Sequence, residues 1–206
     1  MVSGLFISFE GIDGVGKSTQ ADLLETWLSE QGKTVVRTLE PGGTDVGVEI
    51  RKILLHHKGD LAPRAEAALF AADRAHHVAS KIRPALERGE IVITDRYFDS
   101  SVAYQGAGRD LSRTEVRDLS LWAVGGLLPQ LTVLLDLPAD EARSRRNTSG
   151  TAPDRLEREK TEFFETVRSA YLDLAAAEPE RFLVVDASVS VEQMQAQIRA
   201  RVAGLI

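Results

Sequence analysis

With 206 residues, 43% of them hydrophobic and 27% charged, the chain can bury one substantial core and is too apolar to be disordered. Its 31 acidic and 25 basic residues give a net charge of −6, the wrong sign for a protein that coats nucleic acid, although a local basic pocket is allowed. The absence of cysteine excludes disulfides, thiolate metal sites and cysteine nucleophiles, and agrees with a reducing compartment.

The N-terminal MVSGLFISFEG lacks a basic region before its short apolar run, so no signal peptide is expected. No apolar run approaches the roughly 18 residues of a membrane span. A cytoplasmic protein without membrane or nucleic-acid partners is the expectation. Leu5–Phe9 reads as a buried strand, and Ser18–Gln31 as a helix with Leu23, Leu24, Trp27 and Leu28 at helical spacing and Gly32 as its stop. Thr34–Leu39 reads as a strand, Val46–Leu55 as a helix, and Arg64–Arg88 as one long helix that Pro84 would kink. Strands follow at Ile91–Thr94, Leu131–Leu135 and Phe182–Val185. Helices are expected at Thr114–Gly125, around Phe163 to Leu174, and at Val191–Val202. Strands that are continuously apolar belong in a parallel sheet covered on both faces. The alternation therefore predicts one α/β domain over 1–206, a doubly wound sheet of five parallel strands. Ligands in such sheets bind past the carboxyl ends of strands. That directs attention to Glu10–Ser18, Glu40–Gly43, Asp95–Tyr97 and Asp136–Pro138.

Gly11-Ile12-Asp13-Gly14-Val15-Gly16-Lys17-Ser18 carries all four fixed positions of the phosphate-loop pattern, between an expected strand and an expected helix. Glycines let backbone N–H groups close around a phosphate, and the helix start adds positive potential. Lys17 would reach the β- and γ-phosphates, and the Ser18 hydroxyl would ligate Mg²⁺. The loop implies a nucleoside triphosphate without choosing between kinase, switch GTPase and motor. No Asn-Lys-x-Asp guanine motif is present, and the third strand ends in Asp95-Arg96 rather than an acidic pair. Arg51, Arg74 and Arg96 stand where a second anion would sit, and arginine's planar fork suits phosphate. Residues 143–155, with arginines at 143, 145, 146 and 155 around a Gly- and Pro-containing middle, read as a lid that brings charge to a transferring phosphoryl group.

Six segments in this order resemble bacterial thymidylate kinases: Phe9–Thr19, Glu40-Pro-Gly-Gly-Thr44, Leu69–Arg74, Asp95-Arg-Tyr97, Ser100–Gly106 and Asp154-Arg-Leu-Glu157. The resemblance runs from Phe6 to about Asp186. It implies transfer of the ATP γ-phosphate to dTMP in dTTP synthesis, with Mg²⁺, on a fold like that of phosphate-loop nucleoside monophosphate kinases. It also implies a homodimer. By this likeness Gly11 to Thr19, with Arg143 and Arg155, bind ATP, and Lys17, Arg96, Arg143 and Arg146 are catalytic. Asp13 would hold the sugar 3′-hydroxyl, and Phe70 would stack on thymine. Arg74 would donate to its O4, a donor that clashes with the cytosine amino group. Arg51 and Arg96 match contacts to the monophosphate, Ser101 and Gln105 match contacts to the base edge, and Tyr104 would exclude a 2′-hydroxyl. Glu40 resembles an acidic residue near the acceptor phosphate. The loop interior lacks arginine, which implies the type with its catalytic arginine in the lid. Leu39 departs from the arginine that many relatives carry before Glu-Pro-Gly-Gly. A kinase for another nucleotide, a nucleotide-binding regulatory module and a small nucleic-acid ATPase are the competing readings.

Overall fold

The computed structural model describes residues 3–109, 111–147 and 154–206. Five strands form one sheet, all parallel, in the order β2-β3-β1-β4-β5. They are β1 (Phe6–Glu10), β2 (Val35–Leu39), β3 (Ile91–Asp95), β4 (Leu131–Asp136) and β5 (Phe182–Asp186). Every residue of β1 is buried, as a strand covered on both faces requires. Phe6 and Val92 pack with Val78, Ile82 and Leu86, whereas Ile7 and Ile93 join the larger cluster containing Leu24, Leu28 and Ile198. The register sets Leu39 beside Asp95 and Asp95 beside Phe9. Glu40, Arg96 and Gly11 therefore leave the sheet together at one edge, in the crevice where such folds bind ligands.

The helices are α1 (Lys17–Glu30), α2 (Asp45–His56), α3 (Pro63–His77), α4 (Arg83–Glu87), α5 (Phe98–Ser101), α6 (Arg113–Ala123), α7 (Ala139–Asn147), α8 (Thr161–Ala177) and α9 (Val191–Ala203). The expected long helix over Arg64–Arg88 is interrupted upstream of Pro84. Residues Val78–Ile82 form a wide π-helical turn in which Arg83 N–H bonds to Val78 C=O. Proline offers no N–H and crowds the preceding turn, and a widened turn relieves both.

Two helical stretches lacked sequence expectations. Phe98–Ser101 continues into a π-helical turn over Val102–Ala107. Ala139–Asn147 is helical because Ala139 and Ala142 bury against the core while Asp140 and Glu141 lie in its first turn. The expected lid thus begins inside α7. Its middle, residues 148–153, lies outside the described residues. No described helix is long and apolar enough to cross a membrane.

Candidate active site

The phosphate loop joins β1 to α1. Gly14 has φ 94°, and a Cβ there would stand 2.2 Å from the carbonyl oxygen of Ala142, so only glycine fits between the loop and α7. Ile12 and Val15 turn their side chains into the core, leaving only backbone for a ligand. Helix α1 starts at Lys17 with no side-chain cap and no acidic residue in its first turn. Its first N–H groups are therefore available to an anion. Lys17 is buried, donates to Gly11 O (3.1 Å) and Ile12 O (2.9 Å), and lies 3.6 Å from Asp13. Burial and the nearby Arg96 charge lower its pKa, against the pull of Asp13 and Asp95. Lys17, Ser18 and Thr19 share the wall of the phosphate cleft with Arg145 and Arg146 of α7.

Beyond the loop lies a second cavity. Phe70, Arg74, Ser101, Tyr104 and Gln105 line it, all five brought there by α3 and the α5 segment. Arg74 is fully buried. Its Nε donates to Glu40 Oε2 at 2.6 Å, and its terminal nitrogens donate to Ser101 Oγ (3.1 Å) and Tyr97 O (3.2 Å). The other Glu40 oxygen contacts His77 Nδ1 at 2.9 Å, and His77 Nε2 contacts Thr38 Oγ1 at 2.6 Å. Asp73 Oδ1 accepts from Gly42 N–H. Three side chains of α3 thus hold the Glu40–Gly43 loop, which contains a cis Glu40–Pro41 peptide. Burial and the Glu40 charge push the Asp73 carboxyl up to about 6.

The two clefts meet at a common wall of Asp13, Glu40, Arg51 and Arg96. Arg96 is the only described non-glycine residue with positive φ, 71°. That costly conformation is held by its N–H to Phe9 O and by Thr94 Oγ1 donating to its carbonyl. It aims the guanidinium at Asp13 Oδ1 (2.7 Å) and Tyr104 Oη (3.2 Å), over the Tyr104 ring. Burial alone would raise the Asp13 pKa, but Arg96 and Lys17 outweigh it and hold the carboxyl well below its usual range. Arg51 donates to Pro41 O at 2.7 Å.

Not every expected residue gathers here. Arg143 donates to Thr161 and lines neither cleft. Arg155 is bonded to Leu54 O and to Glu66, away from the phosphate cleft. Leu39 does line that cleft and is 42% exposed.

Ser18 Oγ donates to Asp95 Oδ2 at 2.8 Å on the same cleft wall. Hydroxyl and carboxylate oxygens are hard donors that fit Mg²⁺, an ion that keeps waters and takes phosphate oxygens rather than needing an all-protein cage. Among the described residues no group of three or more His, Asp or Glu could form such a cage.

Sequence reasoning gave no role to four acidic residues, although Glu10, Asp73 and Asp95 lie in stretches it singled out. Asp95 joins Ser18. Glu10 is buried beneath the junction, accepting from Tyr97 N (2.8 Å), Ser100 Oγ (2.6 Å) and Tyr171 Oη (2.9 Å). Burial and then the Asp99 charge push it up to about 7. Asp73 and Glu66 lie on α3. The spacing 66, 70, 73, 74, 77 is one helical face, a signal that was available.

The family model described as Thymidylate kinase matches residues 9–198. A thymidylate kinase of Leifsonia xyli is 66% identical over 98% of this chain and 96% of its own length. One of Clavibacter sepedonicus is 63% identical over 100% and 97%. One of Cutibacterium acnes is 46% identical over 100% and 99%. A phosphate loop and a second arginine-walled cavity on one sheet edge, with likeness along the whole chain, leave one assignment: the chain belongs to the thymidylate kinase family.

Proposed function

We propose that the protein transfers the γ-phosphate of ATP to dTMP, yielding dTDP and ADP. The observation that carries this reading is the shared wall of Asp13, Glu40, Arg51 and Arg96, where a donor cleft and an acceptor cavity open on each other. ATP phosphates lie on Gly11–Ser18, and dTMP lies along Phe70, Arg74, Ser101, Tyr104 and Gln105. An oxygen of the dTMP phosphate attacks the γ-phosphorus in line, and the bond to the β–γ bridging oxygen breaks. A phosphate monoester, with second pKa near ~6, is already largely ionised at neutral pH, so no general base is required.

Positioning and charge neutralisation carry the rate. Lys17 meets the β- and γ-oxygens, Arg96 bridges donor and acceptor, and Arg51 meets the acceptor phosphate. Of the lid arginines at 143, 145, 146 and 155, Arg145 and Arg146, on the cleft wall, take the lid role. Ser18, with Asp95 beside it, would hold Mg²⁺, which would supply Lewis-acid neutralisation of phosphate charge. Asp13, kept ionised, accepts from the sugar 3′-hydroxyl, and Tyr104 fills the space a 2′-hydroxyl would need. Phe70 stacks on the base. The guanidinium of Arg74 has five N–H groups, three of them committed, and the remainder reach O4. Both Glu40 oxygens are taken by Arg74 and His77, so Glu40 acts through Arg74.

A homodimer through α3 and α6 belongs to this reading. Ala67, Leu111, Val116 and Leu119 line a groove there, and Trp122, 80% exposed, continues the stripe. The cysteine-free composition agrees with a cytoplasmic location. ADP release measured with dTMP, dUMP, dCMP, dGMP and thymidine in turn tests the function. Fast turnover with dTMP and little with dCMP is expected. No turnover with any of them overturns the reading.

A further inference from the structure

We propose that Glu66 is a positioning residue for the base end of the acceptor cavity, and that Arg155 serves this cavity rather than ATP. The inference rests on reading that cavity as the dTMP site. Glu66 lies one helical turn before Phe70 on α3 and is 1% exposed. Its carboxylate accepts from Gln105 Nε2 (3.0 Å), Arg109 Nε (3.3 Å) and Arg155. An ionised carboxylate has lone pairs and no proton to give, so it can hold only the NH₂ end of the Gln105 amide. That decides which end of the amide remains. No described residue donates to Gln105 Oε1, and Gln105 stands in the cavity wall. The cavity thus gains a fixed hydrogen-bond acceptor. Such an acceptor suits the ring N3–H of thymine and meets an unmatched lone pair on N3 of cytosine.

Arg155 makes this carboxylate a junction. Its Nε donates to Leu54 O at 2.9 Å, its backbone N–H to Leu55 O at 3.3 Å, and its guanidinium to Glu66. The next residue, Leu156, packs with Leu54, Leu55 and Phe70. The chain after residue 153 is therefore docked on the acceptor side. Arg145 and Arg146 line the phosphate cleft; Arg155 lines neither cleft, but its neighbours Asp154, Leu156 and Glu157 line the acceptor cavity, and its own part there runs through Glu66.

The test is steady-state kinetics of Glu66→Gln and Arg155→Gln with both substrates, after wild-type turnover on dTMP has been measured. That first measurement judges the dTMP reading separately. A glutamine at 66 can offer either end, so the Gln105 amide is free to turn over. Loss of a charged hydrogen bond predicts a rise of about tenfold or more in KM for dTMP in Glu66→Gln. The preference for dTMP over dCMP should fall by a similar factor, while KM for ATP stays within about twofold. Arg155→Gln should move the same constants in the same direction by less. Glu66→Asp, which keeps an acceptor-only group, should restore part of the preference. A rise in KM for ATP in Arg155→Gln, with dTMP unaffected, overturns the proposal. So does a lowered Tm in Glu66→Gln with both KM values and the dCMP ratio unchanged. Should Glu66→Gln fail to fold, Arg155→Gln decides alone, since its side chain sits at the partly exposed edge of the junction.

Discussion

The donor and acceptor halves of this site are built in opposite ways. The donor half is centred on one contiguous stretch, residues 11–19, where backbone N–H groups, glycine conformations and the uncapped start of α1 work beside the Lys17 and Ser18 side chains, with Arg145 and Arg146 completing the wall. The acceptor half is assembled from side chains far apart in sequence. Glu40 reaches Arg74 across 34 residues, Ser101 meets Arg74 across 27, and Arg155 meets Glu66 across 89. A site made of backbone is specified by local pattern and tolerates neighbours that merely pack. A site made of buried charged side chains depends on every partner, because a carboxylate or guanidinium left alone in the interior is costly.

The largest effect should come from Lys17→Ala. The ammonium's partners, two loop carbonyls and Asp13, all lie within the phosphate loop, so the fold should survive while turnover drops about a thousandfold or more, about 4 kcal/mol of transition-state stabilisation. An assay showing only a small loss would remove Lys17 from the transfer step. On the acceptor side Arg74→Gln should cost stability as well as recognition. It strands Glu40 in the interior with His77 alone, a penalty of about 3 kcal/mol, read as a lowered Tm together with a raised KM for dTMP. Unchanged Tm would mean the network relaxes. Gly14→Ala breaks the donor half through backbone alone. Positive φ and the clash with Ala142 O should cost about 1–2 kcal/mol in ATP binding, with dTMP binding by calorimetry preserved. Equal loss of both ligands would show that the halves are not separable.

The smallest and most specific effect concerns Glu10, beneath the junction. Its folded pKa is raised to about 7 by burial and the Asp99 charge, from 4.5. The folded protein then holds an extra proton between those values, so this group's contribution to stability declines as pH rises from about 4.5 to 7. Glu10→Gln should flatten the slope of Tm against pH in that window. An unaltered slope would assign the titration elsewhere. Ser100 and Tyr171, which donate to Glu10, also touch Arg96, so the same variant should loosen Arg96 and lower turnover modestly.

Much of this was legible in advance. Short apolar runs marked the five strands within a residue or two, because a doubly covered strand such as β1 has no polar face, while the edge strands β2 and β5 are partly exposed. The phosphate loop was readable because its chemistry depends on glycine, lysine and serine at fixed spacing within one turn of chain. Helix α7 was hidden because a polar, arginine-rich sequence is held helical by only two buried alanines, Ala139 and Ala142. The π-helical turn before Pro84 was hidden because a widened turn is a response to packing and has no residue signature of its own.

The sequence by itself determined the strands and the phosphate loop, since each follows from local periodicity or a short motif, whereas the residues of the acceptor site were named through the resemblance to a known family. Only the tertiary structure decided which arginine does what. Arg74 is walled into a buried network, Arg96 bridges two clefts from a left-handed backbone, Arg143 turns to Thr161, and Arg155 closes on Glu66. An arginine's partner is whichever carboxylate or carbonyl the folded chain brings within about 3 Å, and nothing in its own stretch of sequence records that distance.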